Sequence, residues 1–312
     1  MDTTTAALFY RKVCTDSAKR MHYCIGILTH VIHADETRVY VTKDGRKAGT
    51  KSYMWVYCSG DDRGIVLYDY QKTRRADHPR EFLQNFGGTL VTDGYQVYHT
   101  LDNGPGPLKV AGCWAHARRK FVDILKAAKK SAGKDVTSSI SAVAVSQIKH
   151  IYHMDDKLKD LLPDERKKER DLTVRPLVEA YFEWVRAKRS ETLSSSELMN
   201  ALNYSLNQEQ YLRAFLDDPE IPLDNNLAER AIRPFTVGRK NWNMIDTIHG
   251  AQASAILYSI AETAKANDLK PYEYYRYLLE EIPKHMDDHD MDFLDALLPW
   301  SDALPDDCRK TK

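Results

Sequence analysis

The chain has no net charge, few cysteines and no long apolar run, and each absence excludes a class of protein. Its 45 basic and 45 acidic residues cancel over 312 residues, so no overall field draws the molecule to nucleic acid or to an anionic membrane. Any contact with such a partner must come from local patches of charge. A chain of this length is long enough for one large domain or two ordinary ones.

The cysteines and the apolar residues indicate a protein of the cytoplasm. The five cysteines are scattered and form no Cys-x-x-Cys pair, a distribution that favours a reducing compartment over a disulfide framework. No apolar run reaches the ~18 residues that a membrane span requires, and the first residues lack the basic segment of a signal peptide. We therefore expect a cytoplasmic protein without a membrane partner.

The first regular pattern along the sequence is that of β-strands. Residues 31–41 alternate with a period of two, which places Asp35 and its neighbour Glu36 on opposite faces of a first strand. Further strands are predicted at 52–57, 65–70, 89–92 and 108–112, with a short helix opened by Pro79 and a longer helix over 115–130. This order predicts an α/β fold, a ribonuclease H-like mixed sheet.

Helical periodicity replaces the strand pattern after residue 130. One helix opens with a capping-box pattern, Ser194-x-x-Glu197. A later helix is predicted to begin at Asp224 and to break at Pro234, and two more are predicted at 251–267 and after Pro271.

These patterns predict a core that is interrupted by a large all-helical insertion before its last helix-rich part. The predicted ranges are 1–28 for an unmatched segment, 29–130 for the first part of the core, 131–222 for the insertion, 223–300 for the completion of the core and 301–312 for a tail.

Three carboxylates stand at positions suited to phosphodiester chemistry: Asp35 in the first predicted strand, Asp93 at the end of the fourth, and Glu229 in the helix after Asp224. Such groups hold two metal ions roughly 3.5–4 Å apart, and Mg²⁺ prefers oxygen ligands. Spacing alone is weak support, because most acidic residues are solvated. Glu229 could instead pair with Arg233 on an exposed helix, and we interpret Asp224 as a helix cap.

Six blocks of sequence, in this order, resemble the transposases of the insertion sequence 66 family. They are His33–Thr37, Asp93–Tyr95, Gly112–Phe121, Asp224–Pro234, Gly238–Asn241 and Tyr258–Lys265. Together they extend from about residue 29 to residue 300, nearly the whole chain. Several independent blocks in the same order make the resemblance specific.

The resemblance implies a catalytic core of the Asp-Asp-Glu type, in which Asp35, Asp93 and Glu229 bind two Mg²⁺ ions, with Mn²⁺ as a substitute. It also implies the order of the reaction. Water attacks at a transposon end to free a 3′-hydroxyl, and that hydroxyl then attacks target DNA without a covalent enzyme intermediate. The partners implied are DNA, further copies of the chain assembled on DNA, and small helper proteins of the same element.

Other residues are candidates for supporting the site. Cys113 and His116 form a Cys-x-x-His pair, which is half of a zinc site, but packing for Cys113 and a polar contact for His116 are the preferred interpretation. The candidates for contacts with DNA phosphates are Arg118, Arg119, Lys120, Arg230, Arg233, Arg239 and Lys240, with Trp242 as a stacking aromatic. A solvated helix face and a core position for Trp242 are the alternatives.

The sequence departs from the family pattern in two places. The first 28 residues do not match the helix-turn-helix and zinc-binding regions with which the family recognises element ends, and residues 243–249 lack the expected serine-glycine loop. We therefore expect a truncated copy, a separately encoded core, or a protein that acts only with a partner that supplies end recognition. Two other hypotheses stay open, a catalytically silent DNA-binding remnant and a structure-selective nuclease on the same fold.

Overall fold

A computed structural model of the chain describes residues 3–47, 49–102, 107–132, 139–194, 196–285 and 292–310, without the side chains of residues 3–15, 131 and 132. Residues 311 and 312 of the predicted tail lie outside this part. The chain forms two compact units. The first comprises Met1–Gly88, Gly104–Leu108 and Asn226–Lys312, and the second comprises Thr89–Asn103 and Lys109–Asn225.

The first unit contains a mixed sheet. Its strands are β1 (Val31–Lys43), β2 (Lys51–Ser59), β3 (Val66–Gln71) and β6 (Ile245–Thr247). The first three pair in antiparallel order, and β6 pairs with β1 in parallel. The first three strands and the α/β class predicted from the sequence are both confirmed, whereas β6 was not predicted from the sequence.

The register of the strands decides which side chains share a face. Asp35 lies opposite Val56, and Glu36 lies opposite Trp55. Since side chains alternate along a strand, Asp35 shares its face with Val56 and Glu36 takes the other face with Trp55. The predicted separation of Asp35 from Glu36 is therefore confirmed.

The first unit also contains helices, some packed on the sheet and others on neighbouring helices. They are α1 (Thr3–Leu28), α2 (Asp77–Phe82), α10 (Asn226–Trp242), α11 (Ile248–Ala266) and α12 (Pro271–Glu281), followed by short 3-10 turns at Ile282–His285, Asp292–Leu297 and Asp306–Cys308. The face that carries Asp35 is packed by α10 and α11 in one buried cluster, which includes Val56, Cys58, Ile232 and Phe235. Burial of these apolar groups is the main force that holds α10 on the sheet.

Helix α11 also closes the outer edge of the sheet along β3. Thr263 Oγ1 accepts a hydrogen bond from the Val66 amide at 3.0 Å and donates one to the Val66 carbonyl at 2.9 Å, while Ser259 Oγ accepts from the Tyr68 amide at 2.8 Å. The backbone groups of an edge strand need such partners when they are buried. This contact explains two polar residues, Ser259 and Thr263, on the buried side of α11.

The second unit combines a parallel strand pair with helices. Strands β4 (Thr89–Thr92) and β5 (Lys109–Gly112) pair in parallel. The helices are α3 (Gln96–Asp102), α4 (Trp114–Ala132), α5 (Ile140–Asp156), α6 (Pro163–Glu169), α7 (Arg175–Glu191), α8 (Glu197–Asn207) and α9 (Glu209–Arg213), with a π-helical turn at Arg170–Val174 and a 3-10 turn at Ala214–Leu216. No strand occurs among the described residues of 131–222, as predicted.

The core of the second unit is aromatic, with one buried ion pair. Trp114 packs against Tyr181, Phe182 and Phe215, and its indole nitrogen donates to the Leu212 carbonyl at 2.8 Å. Strands β4 and β5 and helix α4 belong to this unit, which begins at Thr89. The ranges predicted for the core and the insertion stay predictions.

The buried ion pair lies at the π-helical turn. Arg170 is fully buried, and its guanidinium donates to Asp155 Oδ1 at 2.6 Å and to the carbonyls of Phe215 and Asp218 at 2.7 and 3.0 Å. A buried charge is tolerated only when it is paired and hydrogen-bonded, and these contacts meet both conditions.

Two sequence predictions about helices were wrong. Helix α10 continues through Pro234 to Trp242; the proline removes one backbone hydrogen bond, but Ile232 and Phe235 are buried on either side of it and hold the helix to the sheet. The N-cap of α8 is Ser196, whose side chain accepts from the Met199 amide, and not Ser194. Within the described residues, no helix is both long and apolar enough to cross a membrane.

Candidate functional site

Asp35 lies in the middle of β1 on the face that α10 covers. It is partly exposed, and its Oδ1 accepts a hydrogen bond from the Glu36 amide at 2.8 Å. The pKa of the buried Cys58 thiol depends on the charges around it. Burial raises the pKa of Cys58, the Asp35 carboxylate raises it further, and the Arg230 guanidinium lowers it. One thiol on β2 thus lies within electrostatic range of both Asp35 and a side chain of α10.

Glu229 stands in the first turn of α10 and is partly buried. Its neighbours Ala228 and Ile232 are buried in the core of the first unit, so packing fixes this turn against the sheet. A carboxylate in the first turn of a helix also interacts favourably with the helix dipole. Asp35 and Glu229 therefore belong to the same unit, one on the sheet and one on the helix that covers that face.

The basic residues of α10 divide into two groups. Arg230, Arg233 and Lys240 are exposed. Arg239 instead turns toward the sheet, where its Nη1 donates to Thr37 Oγ1 at 3.0 Å and to the Arg38 carbonyl. The structure therefore gives Arg239 a contact with β1 that the sequence did not predict.

Trp242 lies at the end of α10 and packs with the core of the first unit. Its ring meets Phe235 edge-on, with centroids 5.4 Å apart. This contact favours the alternative that Trp242 is a core residue over its predicted role as a stacking surface for a DNA base.

Asp93 follows β4 in the second unit and is partly exposed. Its Oδ1 accepts a hydrogen bond from the Tyr95 amide at 2.9 Å, which fixes the carboxylate in a tight turn. Gly94 is required in this turn, because a β-carbon there would lie 2.4 Å from the Tyr204 hydroxyl. The Asp-Gly-Tyr block is thus explained by the turn and by the close approach of Tyr204.

Cys113 and His116 occupy the start of α4. Cys113 is buried, its sulfur accepts a hydrogen bond from the Asn225 amide at 3.3 Å, and burial raises the pKa of its thiol to about 11. A zinc ligand is a thiolate, so this environment favours packing for Cys113. His116 contacts Arg119, with Nε2 at 3.1 Å from Nη1.

The basic triplet Arg118, Arg119 and Lys120 is exposed on α4, as the prediction of a phosphate-binding surface requires. The Lys120 ammonium group lies over the ring of Tyr204, 5.3 Å from its centroid. Tyr204 also packs against Gly94. Lys120 and the Asp93 turn therefore share one neighbouring side chain in the second unit.

Asp224 does not occupy the position directly before α10. The helix begins at Asn226, so Asn225 stands at that position and Asp224 lies one residue earlier. Asp224 instead lies close to Tyr152, where burial first and the Asp224 carboxylate second raise the pKa of the tyrosine hydroxyl. The cap role of Asp224 stays a prediction.

A charged pair that begins at Glu36, the residue after Asp35, was not predicted from the sequence. Glu36 accepts from Arg74 Nε at 2.7 Å, and the Glu36 side chain is only 2% exposed. The period of β1 could have identified Glu36 and Arg38 as charged residues on one face. Arg74 carries no such signal, because it lies in a loop after β3.

Comparisons with known proteins agree with the blocks of the sequence. The family model described as "Transposase IS66 family" matches residues 25–253, and that of the "IS66 C-terminal element" matches residues 259–300. The family prediction made from the sequence is therefore confirmed.

Three proteins of Sinorhizobium fredii (strain NBRC 101917 / NGR234) are similar to the chain. Uncharacterized protein y4hP is 31% identical over 284 residues, with 86% of this chain and 50% of that protein covered. Uncharacterized protein y4jD is 30% identical over 283 residues, with 86% and 53% covered. For uncharacterized protein y4qI the identity is 28% over 283 residues, with 86% and 50% covered. The chain spans about half the length of these relatives.

Proposed function

Since the chain belongs to the IS66 family of transposases, we propose that it is a transposase catalytic core that cleaves DNA strands and joins them to a target. The observation that carries this proposal is the placement of Asp35 on the sheet face that α10 covers, with Glu229 in the first turn of that helix. An ordinary core would bury apolar side chains at such positions. Two partly exposed carboxylates there are instead suited to ion binding.

The proposed ligands are Asp35, Asp93 and Glu229. All three offer carboxylate oxygens, the donors that Mg²⁺ and Mn²⁺ prefer, and the two aspartates are held in position by amides at 2.8 and 2.9 Å. The chemistry of these three donors therefore suits such ions. When bound, the ions supply charge that stabilises the attacking and leaving oxygens of a phosphodiester. Asp93 is assigned from its Asp-Gly-Tyr block.

The proposed reaction has two steps that balance without a covalent enzyme intermediate. Water attacks a phosphodiester at the transposon end and releases a 3′-hydroxyl and a 5′-phosphate. That 3′-hydroxyl attacks a target phosphodiester, forms a new bond to phosphorus and releases a target 3′-hydroxyl. The chain's own residues position the strands, and Arg230, Arg233 and Lys240, which are exposed on α10, are suited to hold DNA phosphates.

We also propose the type of fold, the partners and the place of action. We assign the sheet to the ribonuclease H-like type and the helices between α4 and α10 to an insertion in it, because three antiparallel strands precede the helix that carries Glu229. DNA, further copies of the chain bound to DNA, and helper proteins of the same element are the proposed partners. The proposed place of action is the cytoplasm.

The test is nicking of supercoiled plasmid and joining of short precut duplexes by the purified chain with Mg²⁺ or Mn²⁺. We expect metal-dependent nicking and joining. Asp93→Asn should reduce both by more than about 100-fold, because it replaces a charged metal ligand by a neutral amide. The matched control is Asp160→Asn, which makes the same chemical change at an exposed position, and it should act like the unchanged chain.

The outcomes separate the alternatives. DNA binding in low salt without metal-dependent cutting, by a folded chain, would contradict the proposal in favour of a binding remnant. Cutting of branched or flap DNA without any joining would indicate a structure-selective nuclease. Equal activity of the Asp93 and Asp160 variants would refute the assignment of Asp93.

A further inference from the structure

A cationic pocket lies along β1, with Glu36 and Arg38 on the face of the strand opposite Asp35. It has a volume of about 280 Å³ and is lined by Glu36, Thr37, Arg38, Tyr53, Arg74 and Arg239. All six residues belong to the first unit. Of the six, only Arg239 belongs to the sequence-predicted DNA contacts, and the proposed metal ligands are not among them.

The strand register builds one wall of the pocket. Glu36 and Arg38 lie two residues apart on β1 and therefore share a face, opposite Trp55 and Tyr53 of β2. Arg74 reaches this wall from the loop after β3 and forms an ion pair with Glu36. The carboxylate is only 2% exposed, whereas the Arg74 side chain is 34% exposed. Glu36 thus fixes Arg74 and leaves part of its guanidinium accessible.

Helix α10 supplies the third guanidinium. Arg239 donates to Thr37 Oγ1 at 3.0 Å and to the Arg38 carbonyl. Both acceptors are neutral, so these bonds orient the guanidinium without cancelling its charge. Arg38 is exposed and forms no ion pair within the described part of the chain. Three arginines and one carboxylate therefore leave two positive charges in excess.

This arrangement selects an anion of a particular shape. A guanidinium is a planar fork that binds phosphate oxygens in a bidentate manner. Two of the guanidinium groups are oriented before a ligand binds, that of Arg74 by Glu36 and that of Arg239 by Thr37. This orientation reduces the conformational entropy lost on binding. The carboxylate of the lining, Glu36, is already paired with Arg74, so the lining attracts an anion rather than a cation.

We infer that Arg38, Arg74 and Arg239 together hold one backbone phosphate of a DNA strand, an inference that rests on the proposed function. A phosphate supplies the negative charge that the excess positive charge attracts, and its oxygens match the two oriented guanidinium groups. Because Glu36 and Arg38 lie on the face of β1 opposite Asp35, this contact with DNA is distinct from the proposed metal ligands.

The experiment measures binding of the full chain to a short fluorescein-labelled DNA duplex in EDTA, over a series of KCl concentrations. The variants are Arg38→Gln, Arg239→Gln, their combination, and Arg38→Lys. The control is Arg276→Gln on α12, whose side chain is exposed and paired with Glu273 at 2.8 Å. Circular dichroism and thermal melting establish that each variant is folded.

We expect the double variant to lower the magnitude of the slope of log K against log [KCl] by about 0.9, the value for one lost phosphate contact on duplex DNA, rather than by the ~1.8 of two separate contacts. Each single glutamine variant leaves two guanidinium groups on the phosphate, so it should weaken binding but lose less of the slope than the double variant. Arg38→Lys keeps the charge, so it should keep the slope while weakening binding several-fold. Arg276→Gln should match the unchanged chain.

Failure of the pocket and failure of the proposed function give different results. An unaltered slope in the double variant, or a loss of about 1.8, the value for two separate phosphate contacts, overturns the pocket even if the chain cuts DNA. Pocket-dependent binding without metal-dependent cutting keeps the phosphate site and overturns the catalytic proposal. A folded chain that binds no DNA in low salt overturns both.

Discussion

At the scale of single residues, burial has changed the chemistry of an acid that the reaction does not use. Asp69 lies on β3, and burial raises the pKa of its carboxyl group to about 6, although a hydrogen bond from Gln71 Nε2 at 2.9 Å lowers it in part. It lines a cavity of about 390 Å³ together with His22, His78 and Glu81. The folded state therefore binds a proton at Asp69 more tightly than the unfolded chain does.

The pKa of Asp69 predicts a pH dependence of stability. The folded pKa is about 6 and the unfolded value is about 3.9. The buried carboxyl group destabilises the folded state least when it is protonated. Its contribution to the free energy of unfolding is therefore most favourable below the unfolded pKa and is lost as the pH rises from about 4 through about 6. Asp69→Asn removes the charge and keeps an acceptor for Gln71. We expect it to raise the free energy of unfolding at pH 7 by on the order of 2 kcal/mol.

The measurement is urea unfolding at pH 4.5 and pH 7. The gain from Asp69→Asn should shrink at the lower pH, whereas Asp160→Asn, at an exposed position, should change stability little at either pH. A gain of equal size at both pH values would show that the charge of Asp69 is not its cause.

At the scale of elements, the start of α8 shows how local sequence leaves a choice that tertiary structure decides. Ser194 and Ser196 both precede the helix, and Glu197 suits a capping box with Ser194. In the structure the helix begins at Glu197, and Ser196 Oγ accepts from the Met199 amide at 3.0 Å. Starting there places Ala201, Leu202 and Ser205 on the buried side.

Substitution of the two serines distinguishes the caps. We expect Ser196→Ala to lower the free energy of unfolding by about 1 kcal/mol, the usual value of a lost N-cap bond. Ser194→Ala should change it by less than about 0.5 kcal/mol, as at an ordinary surface site. Urea unfolding of both variants is the measurement, and the reverse order of the two effects would restore the cap predicted from the sequence.

The elements that the sequence predicted are those with a strong local pattern. The alternation along β1 predicted both the strand and the side on which Asp35 lies, because one face is buried by α10. The continuation of α10 through Pro234 could not be predicted, since it depends on the burial of Ile232 and Phe235 against a sheet that is distant in sequence. Strand β6 is three residues long and pairs with β1 across about 200 residues, so it has no local signal.

Those residues of the candidate site that stand in a clear local sequence pattern were predicted from the sequence. The carboxylates and most of the basic residues stand in blocks that match the family, whereas the Glu36–Arg74 pair joins a strand to a loop 38 residues later. Such a pair becomes visible only when the register of β1, β2 and β3 is known. Sequence blocks therefore identified the candidate reactive groups, and the structure adds the residues around them.

At the scale of the whole molecule, the balance of charge makes DNA binding a matter of location. The chain has 45 basic and 45 acidic residues, so its net charge gives no attraction to a polyanion. Any affinity must depend on where basic groups are concentrated. Arg230, Arg233 and Lys240 are three such groups, exposed on the helix that carries Glu229.

Two triple variants with the same net charge test this view. The first replaces Arg230, Arg233 and Lys240 by glutamine, and the second replaces three exposed lysines of the C-terminal part, Lys265, Lys270 and Lys310. Both change the formal charge equally. If α10 binds phosphates, the first variant should lower the magnitude of the slope of log K against log [KCl] by up to about 2.7, which is about 0.9 for each contact. The second should leave the slope near that of the unchanged chain.

Fluorescence anisotropy with a short duplex in EDTA measures both slopes, and circular dichroism establishes that both variants are folded. Equal losses in the two variants would mean that net charge rather than position controls binding, which would remove the support that α10 gives to the proposed site. A loss confined to the first variant would place the DNA backbone along the helix that carries Glu229, because only groups that displace counterions from phosphates contribute to the slope.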